Sequence, residues 1–306
     1  MINIDTRKNV LIGCLCAIGC ETLFGLSYIF TKNATEGASA FMLLGWRFLI
    51  SAIILYLCAV TGVFKIRLRG KNIVPLLKVA ACSPILYYIG ETFGIKLTTA
   101  SESGAFLACI PVASVIASTL ILKKKPTARQ LTGIMITLIG VLITVFAAGN
   151  SSSFSAAGYG MLLLAVIGYA LYSVFVAKAE GYSGIEVTFV MIVTAAIVFS
   201  VIAIIEALMN GNIRVLISQP LSDRWFLAAA LYGGIACSVV ATTLSNIAIA
   251  RIGVNRASSF LGIATVVSII SGILILHENF SALQVIGAII IICGVYIANL
   301  KLKDAS

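Results

Sequence analysis

Charge is the scarcest commodity in this chain. Of 306 residues only 10% are Asp, Glu, Lys or Arg, against 60% hydrophobic, and mean hydropathy is +1.11. Soluble domains carry roughly 25% charged residues, so this composition cannot cover a water-facing surface and a soluble two-domain protein is excluded. Histidine is reduced to one residue. With no clustered Asp/His motif and no P-loop, a membrane-embedded enzyme lacks its catalytic groups, and no cofactor is expected. The eight cysteines all fall inside apolar runs without metal-ligand spacing, which argues against a metal site or a disulfide framework.

What is abundant is apolar sequence in lengths that fit a bilayer. A spanning helix needs about 20 mainly apolar residues. Such runs fall at 10–31, 39–61, 74–96, 103–122, 131–148, 156–178, 187–209, 225–249, 256–276 and 282–300. The expectation is an all-α integral membrane protein with ten transmembrane helices and no separate soluble domain. The first run follows Arg7 and Lys8 but lacks a small-residue cleavage site, so it reads as a transmembrane helix and not as a signal peptide.

The net charge of +10 sits in short clusters between the runs, with no extended basic face, so nucleic acid is not the partner. With the N-terminus inside, 16 Lys and Arg fall in cytoplasmic segments and only Lys32, Lys96, Arg214 and Arg224 in outer ones, while Arg47 lies within a span. That bias places both termini in the cytoplasm. The KIRLRGK loop at 65–71 and the KKKPTAR loop at 123–129 carry most of it, as topology signals more than as sites for anionic lipid headgroups.

A shift of 154 residues lays ESGAFLACIPVASVIASTLILKKKPTARQLTGIMITLIGVLI onto RASSFLGIATVVSIISGILILHENFSALQVIGAIIIICGVYI without a gap. A shift of 146 brings SYIFTK (27–32) onto SVFVAK (173–178). Five spans per half is an odd number, so the second copy crosses the membrane in the opposite sense. The halves 1–150 and 151–306 then form two inverted five-helix repeats, an architecture of secondary transporters with a site near the midplane. The charges agree, because basic KKKPTAR matches HENFSAL, which has no Lys or Arg.

FGLSYIFTK, the GWRF of span two, SESGAFLACIPVAS and the ILILHENFSALQVIGAIIIICGVYI ending together resemble the drug/metabolite transporter superfamily, in its ten-span EamA branch. The resemblance covers nearly the whole chain and implies export of amino acids or related metabolites across an inner or plasma membrane. One departure stands out: the acid expected before the last helix of each half is present as Glu278, but its partner position is Lys124.

Three charges inside spans are the candidates for chemistry, since an ionised side chain at bilayer depth is costly and by default functional. Glu21 falls about 16 Å from the inner boundary, close to the midplane; Arg47 and Glu91 fall about 12 and 9 Å below the outer boundary. An Arg beside one or two carboxylates lowers the penalty of each, so a structural pair and a ligand site are both open readings. Glu21 shares a helical face with Gly25, Tyr28 and Lys32, and Glu91 shares one with Pro84, Tyr87 and Tyr88. A carboxylate beside aromatic rings suits a small, amine-bearing ligand. In the second half Glu21 aligns with Ile167 and Glu91 with Ser245, so that wall offers only hydrogen bonds, from Thr242, Thr243, Ser245 and Asn246. Gly25, Pro84 and Pro111 are candidate helix bends. Gly133/Gly140 and Gly287/Gly294, seven apart, read as a packing face. Glu278 is positioned to favour the N-terminus of the last helix.

The residues thus point to a secondary transporter working by alternating access, with Glu21 binding a proton or an ammonium group. The alternatives are an uncoupled facilitator, an exporter of cationic amines or drugs, and a non-transporting membrane partner. The partners expected are a small-molecule substrate, lipid and protons; oligomeric state is not legible.

Overall fold

A computed structural model describes residues 4–63, 66–123, 127–149, 155–179, 181–254, 257 and 260–299, and every element among them is helical. Lys65, Lys124, Lys125, Arg256, Lys301 and Lys303, part of the charge bias, lie outside the described residues. In the first half α1 (Ile4–Gly37) and α2 (Ala40–Val60) are continuous. The next segment comes in pieces: α3 (Val74–Ala80), a π-helical stretch Ala81–Leu86, and α4 (Tyr87–Leu97). Pro84 has no N–H to donate and Ser83 takes extended backbone (φ −146°, ψ 125°), which is why the helix widens there. Then follow α5 (Ala100–Leu107), α6 (Ile110–Leu122) and α7 (Ala128–Gly149).

The second half begins with α8 (Ala156–Lys178) and α9 (Gly184–Met209), then a short α10 (Ile213–Ser222). Next come α11 (Arg224–Leu231), a second π-helical stretch Tyr232–Ala241, and α12 (Thr242–Ile252). The described elements close with α13 (Leu261–Ile275) and α14 (Ala282–Asn299). A shift of 154 carries 81–86 onto 235–240, inside the second widened stretch.

Six helical stretches are long and apolar enough to cross a membrane: Asn9–Gly37, Ala40–Val60, Ala100–Leu122, Ala156–Lys178, Gly184–Met209 and Arg224–Ile252. Leu131–Thr144, Leu261–Ile275 and Ala282–Ile297 are apolar but shorter. The expected third span, interrupted at Ser83–Pro84 and carrying Lys78, Glu91 and Lys96, is not among them.

Capping side chains set the helix starts. Ser39 caps α2, Ser155 caps α8 and Asp223 caps α11. Thr99 with Glu102 and Ser183 with Glu186 form full capping boxes on α5 and α9. The N-terminus of α14 is closed the same way: Ser281 N–H donates to Gln284 Oε1 at 2.8 Å, and Gln284 N–H to Ser281 Oγ at 3.2 Å. The side chain of Gln130, in the matching Thr127-x-x-Gln130 motif, lies outside the described residues.

Packing is reciprocal between the halves. α1 packs on α12 and α13, while α8 packs on α4 and α6; α2 pairs with α9, and α7 with α14. Glycine enables the last pair: a Cβ at Gly140 would lie 2.7 Å from the Gly287 carbonyl oxygen, and one at Gly294 2.8 Å from that of Gly133. Polarity is inverted relative to a soluble protein. Leu120, Phe146 and Leu221 are exposed, whereas Glu21, Arg47, Glu91, Asn246 and many Ser and Thr are buried.

Candidate functional site

The buried polar residues gather where α1, α2, α4, α8 and α12 meet. Glu21, Tyr28, Arg47, Tyr87, Tyr88 and Glu91 are each at most 5% exposed. Tyr87 and Glu91 sit one turn apart at the start of α4, and Tyr87 Oη donates to Glu91 Oε1 at 2.6 Å. Tyr28 is buried in the same cluster as Tyr87 and Tyr88.

Arg47 forms no ion pair with either carboxylate. Its guanidinium carbon stands 4.2 Å from the centroid of the Tyr88 ring, and Nε donates to Ser238 Oγ at 3.0 Å. A desolvated cation over a ring is worth about 2 kcal/mol, which contributes to holding the guanidinium away from water. The Arg47 guanidinium is thus held by Tyr88 and Ser238 and not by direct contact with Glu21 or Glu91. Gly233 makes room for this arrangement, since a Cβ there would meet Arg47 Cδ at 3.0 Å. Among the charged side chains, Arg47 Nη2 and Glu21 Oε2 are buried and have no hydrogen-bond partner among the described residues. Glu21 Oε1 has only the Cys20 thiol, at 3.7 Å. Unmatched buried charge costs several kcal/mol unless something supplies the missing bonds.

The second-half wall is satisfied internally. Tyr172 Oη donates to Asn246 Oδ1 at 2.6 Å, and Asn246 Nδ2 donates to Thr188 Oγ1 at 2.8 Å. Ser245 Oγ lies 3.4 Å from the hydroxyls of Tyr169 and Tyr172. Rings join the two walls in an unbroken series, Phe199–Phe48–Tyr88–Tyr87–Tyr169–Tyr172, with neighbouring centroids 4.9–5.5 Å apart. Tyr169, Tyr172, Thr188 and Ser238 were not singled out from the sequence. Tyr169 and Tyr172, three apart in α8, carried a helical-face signal that could have found them.

The three bend candidates resolve differently. At Pro84 the helix does break. Pro111 sits in the first turn of α6, after α5 has ended at Leu107, where its missing N–H leaves no bond unmade. At Gly25 α1 continues as helix, and its bare Cα admits α13, because a Cβ would lie 2.8 Å from the Ala264 carbonyl oxygen.

Above this core, two charges pin the corner between α4 and α5. Lys32 turns away from the face it shares with Glu21, and its Nζ donates to the carbonyls of Ile95 (3.4 Å), Lys96 (3.3 Å) and Thr98 (2.5 Å). Glu278 accepts from the backbone N–H groups of Ala100 (2.7 Å) and Ser101 (2.9 Å) and from Ser101 Oγ (2.6 Å). It thus serves the N-terminus of α5, and not that of α14 as the sequence position suggested, because Ser281 and Gln284 already close α14. Gln284 Nε2 also donates to Glu102 Oε1 at 2.9 Å. At the other end Lys71 Nζ lies 3.0 Å from Glu186 Oε1, and Tyr182 Oη donates to the Asn72 carbonyl.

Apolar helices outside, a charged and aromatic core inside and reciprocal packing of two halves define a multi-pass helical membrane protein. The family model of the EamA-like transporter family matches residues 11–146 and again 156–300, and the chain belongs to that family. It is 28% identical over 291 residues to the "Uncharacterized transporter YcxC" of Bacillus subtilis, covering 94% of this chain and 93% of that one. It is 22% identical over 170 residues to the "Probable amino-acid metabolite efflux pump" of Escherichia coli, covering 55% of this chain and 57% of the relative. A solved crystal structure superposes with a TM-score of 0.64 at 17% identity, over 96% of this chain and 98% of the other, and so shares the fold. The resemblance to the drug/metabolite transporter superfamily holds, and the protein is a transporter of that superfamily.

Proposed function

We propose that this transporter exports amino acids or similar small zwitterionic metabolites, by alternating access between two inverted five-helix repeats, 1–150 and 151–306, with both termini in the cytoplasm. The observation that carries this reading is the pair of unmatched, buried groups of opposite sign, Glu21 Oε2 and Arg47 Nη2, in one ring-lined core. An ammonium group satisfies the first and a carboxylate the second, and both ends of an α-amino acid supply them. The printed name of the Escherichia coli relative agrees in substrate class. Reciprocal packing and the paired widened stretches support the repeat assignment.

In this mechanism Glu21 holds either a proton or the substrate ammonium, never both. Proton uptake from one side releases substrate there, and the exchange couples their opposite movements. Arg47 orients the carboxylate, while Tyr88 and Ser238 keep its guanidinium from turning. Flux in proteoliposomes across amino acids, amines and nucleosides, with and without a pH gradient, tests it. Gradient-driven amino-acid flux that Glu21→Gln abolishes is the expected result. Flux indifferent to the gradient in both proteins removes the coupling and leaves a facilitator.

A further inference from the structure

Away from the central core, a lipid-facing groove of about 300 Å³ lies between α2, α9 and α10. Its walls are Leu49, Ala203, Ile204, Ile213 and Ile217, and Trp46 lines one side. Leu49, Ile204 and Ile217 are 39%, 44% and 66% exposed, so the groove is continuous with the apolar belt of α2 and α9. The lining is almost wholly apolar, with the Ser200 hydroxyl as its polar exception.

The sequence of α10 explains why the groove stays open. Pro220 has no N–H, so the Leu216 carbonyl one turn earlier lacks its helical partner. Trp46 Nε1 donates to that carbonyl at 2.8 Å and so ties α10 across the groove to α2. Beneath it Gly45 brings α2 against α9, with a Cβ there 3.0 Å from that of Ala203. Ile213, Val215, Ile217 and Leu221 remain exposed on α10 beside Arg214, the composition of a helix lying in a membrane interface.

We propose that this groove binds one acyl chain of an anionic glycerophospholipid, whose phosphate is held by Arg214. The groove opens to the bilayer and is apolar along its length, which fits a hydrocarbon chain. Arg214, exposed on α10 next to Ile213 and three residues before Ile217, supplies the cation beside the groove. The occupant spans α2 of one half and α9 of the other. The proposal does not rest on the transport mechanism above.

Trp46 and Trp225 are the two tryptophans, so Trp225→Phe leaves a single fluorophore in the groove wall. The full-length variant is reconstituted in phosphatidylcholine vesicles with rising fractions of brominated phosphatidylglycerol or brominated phosphatidylcholine, and Trp46 quenching is followed. A bound anionic lipid gives half-maximal quenching at a several-fold lower mole fraction of the glycerol lipid. Arg214→Gln should erase that difference, and Ser200→Phe, which fills the groove, should reduce quenching by both lipids. The same curve for both lipids overturns the proposal, as does a preference that survives Arg214→Gln. Because the Arg214 comparison leaves the groove wall intact, it decides the matter even if Ser200→Phe does not fold.

Discussion

The two walls of the central core obey different rules. The first half supplies Glu21, Arg47 and Glu91, and leaves one atom each of Glu21 and Arg47 without a partner. The second half supplies Tyr172, Ser245 and Asn246, each inside a closed set of hydrogen bonds. The difference is geometric as well as chemical. Ile167, the aligned counterpart of Glu21, is 45% exposed on the lipid side of α8, whereas Glu21 is 3% exposed. A carboxylate could not have been kept at 167 without facing hydrocarbon. One wall therefore keeps buried charge with unmatched atoms, and the other a neutral surface closed by its own hydrogen bonds.

Breaking the charged wall should have the largest effect. Arg47→Met is expected to lower substrate flux about 100-fold or more, corresponding to about 3 kcal/mol of lost binding, because the ligand carboxylate loses its only assigned cation. Arg47→Lys should restore little, since an ammonium cannot lie flat on Tyr88 and reach Ser238 together. Proteoliposome uptake measures both. Glu278→Ala should come next: it leaves three donors at the start of α5 without their acceptor and is expected to destabilise the protein by about 2–3 kcal/mol, seen as a lower Tm in detergent.

The neutral wall should respond to Asn246→Ala through stability, by about 1–3 kcal/mol, because Tyr172 Oη and Thr188 lose their shared partner in a buried site. Flux per folded molecule should fall less than for Arg47→Met, and equal losses would erase the distinction between the walls. Lys71→Met should have the smallest effect, at most about 1 kcal/mol, since the Lys71 side chain is 34% exposed and the pair is partly solvated.

Much of this was legible in the sequence because it depends on local pattern. Apolar runs mark the helices, Ser281-x-x-Gln284 marks the start of α14, and glycines seven apart mark the α7–α14 contact. Glu21, Arg47 and Glu91 stood out as charges in apolar surroundings, and all three are buried at the meeting of the halves. Their partners were not legible, because those bonds join residues far apart in the chain. Arg47 lies against Tyr88 and reaches Ser238 across 191 residues, and Glu278 reaches Ala100 across 178. The break in the third segment was marked by Pro84 alone, while the extended backbone at Ser83 beside it carried no signal in the sequence.

The corner between α4 and α5 has a mechanical consequence. A cation from α1 grips the carbonyl end of α4, and an anion from the far half grips the amide end of α5, each favouring the helix pole it meets. The corner is thereby anchored from both sides, between α4, which bears Tyr87 and Glu91, and α5, which carries Gly104 against Ser268. Tilting the ring-lined wall would then be felt at once where α5 crosses α13, with no flexible linker needed to relay it.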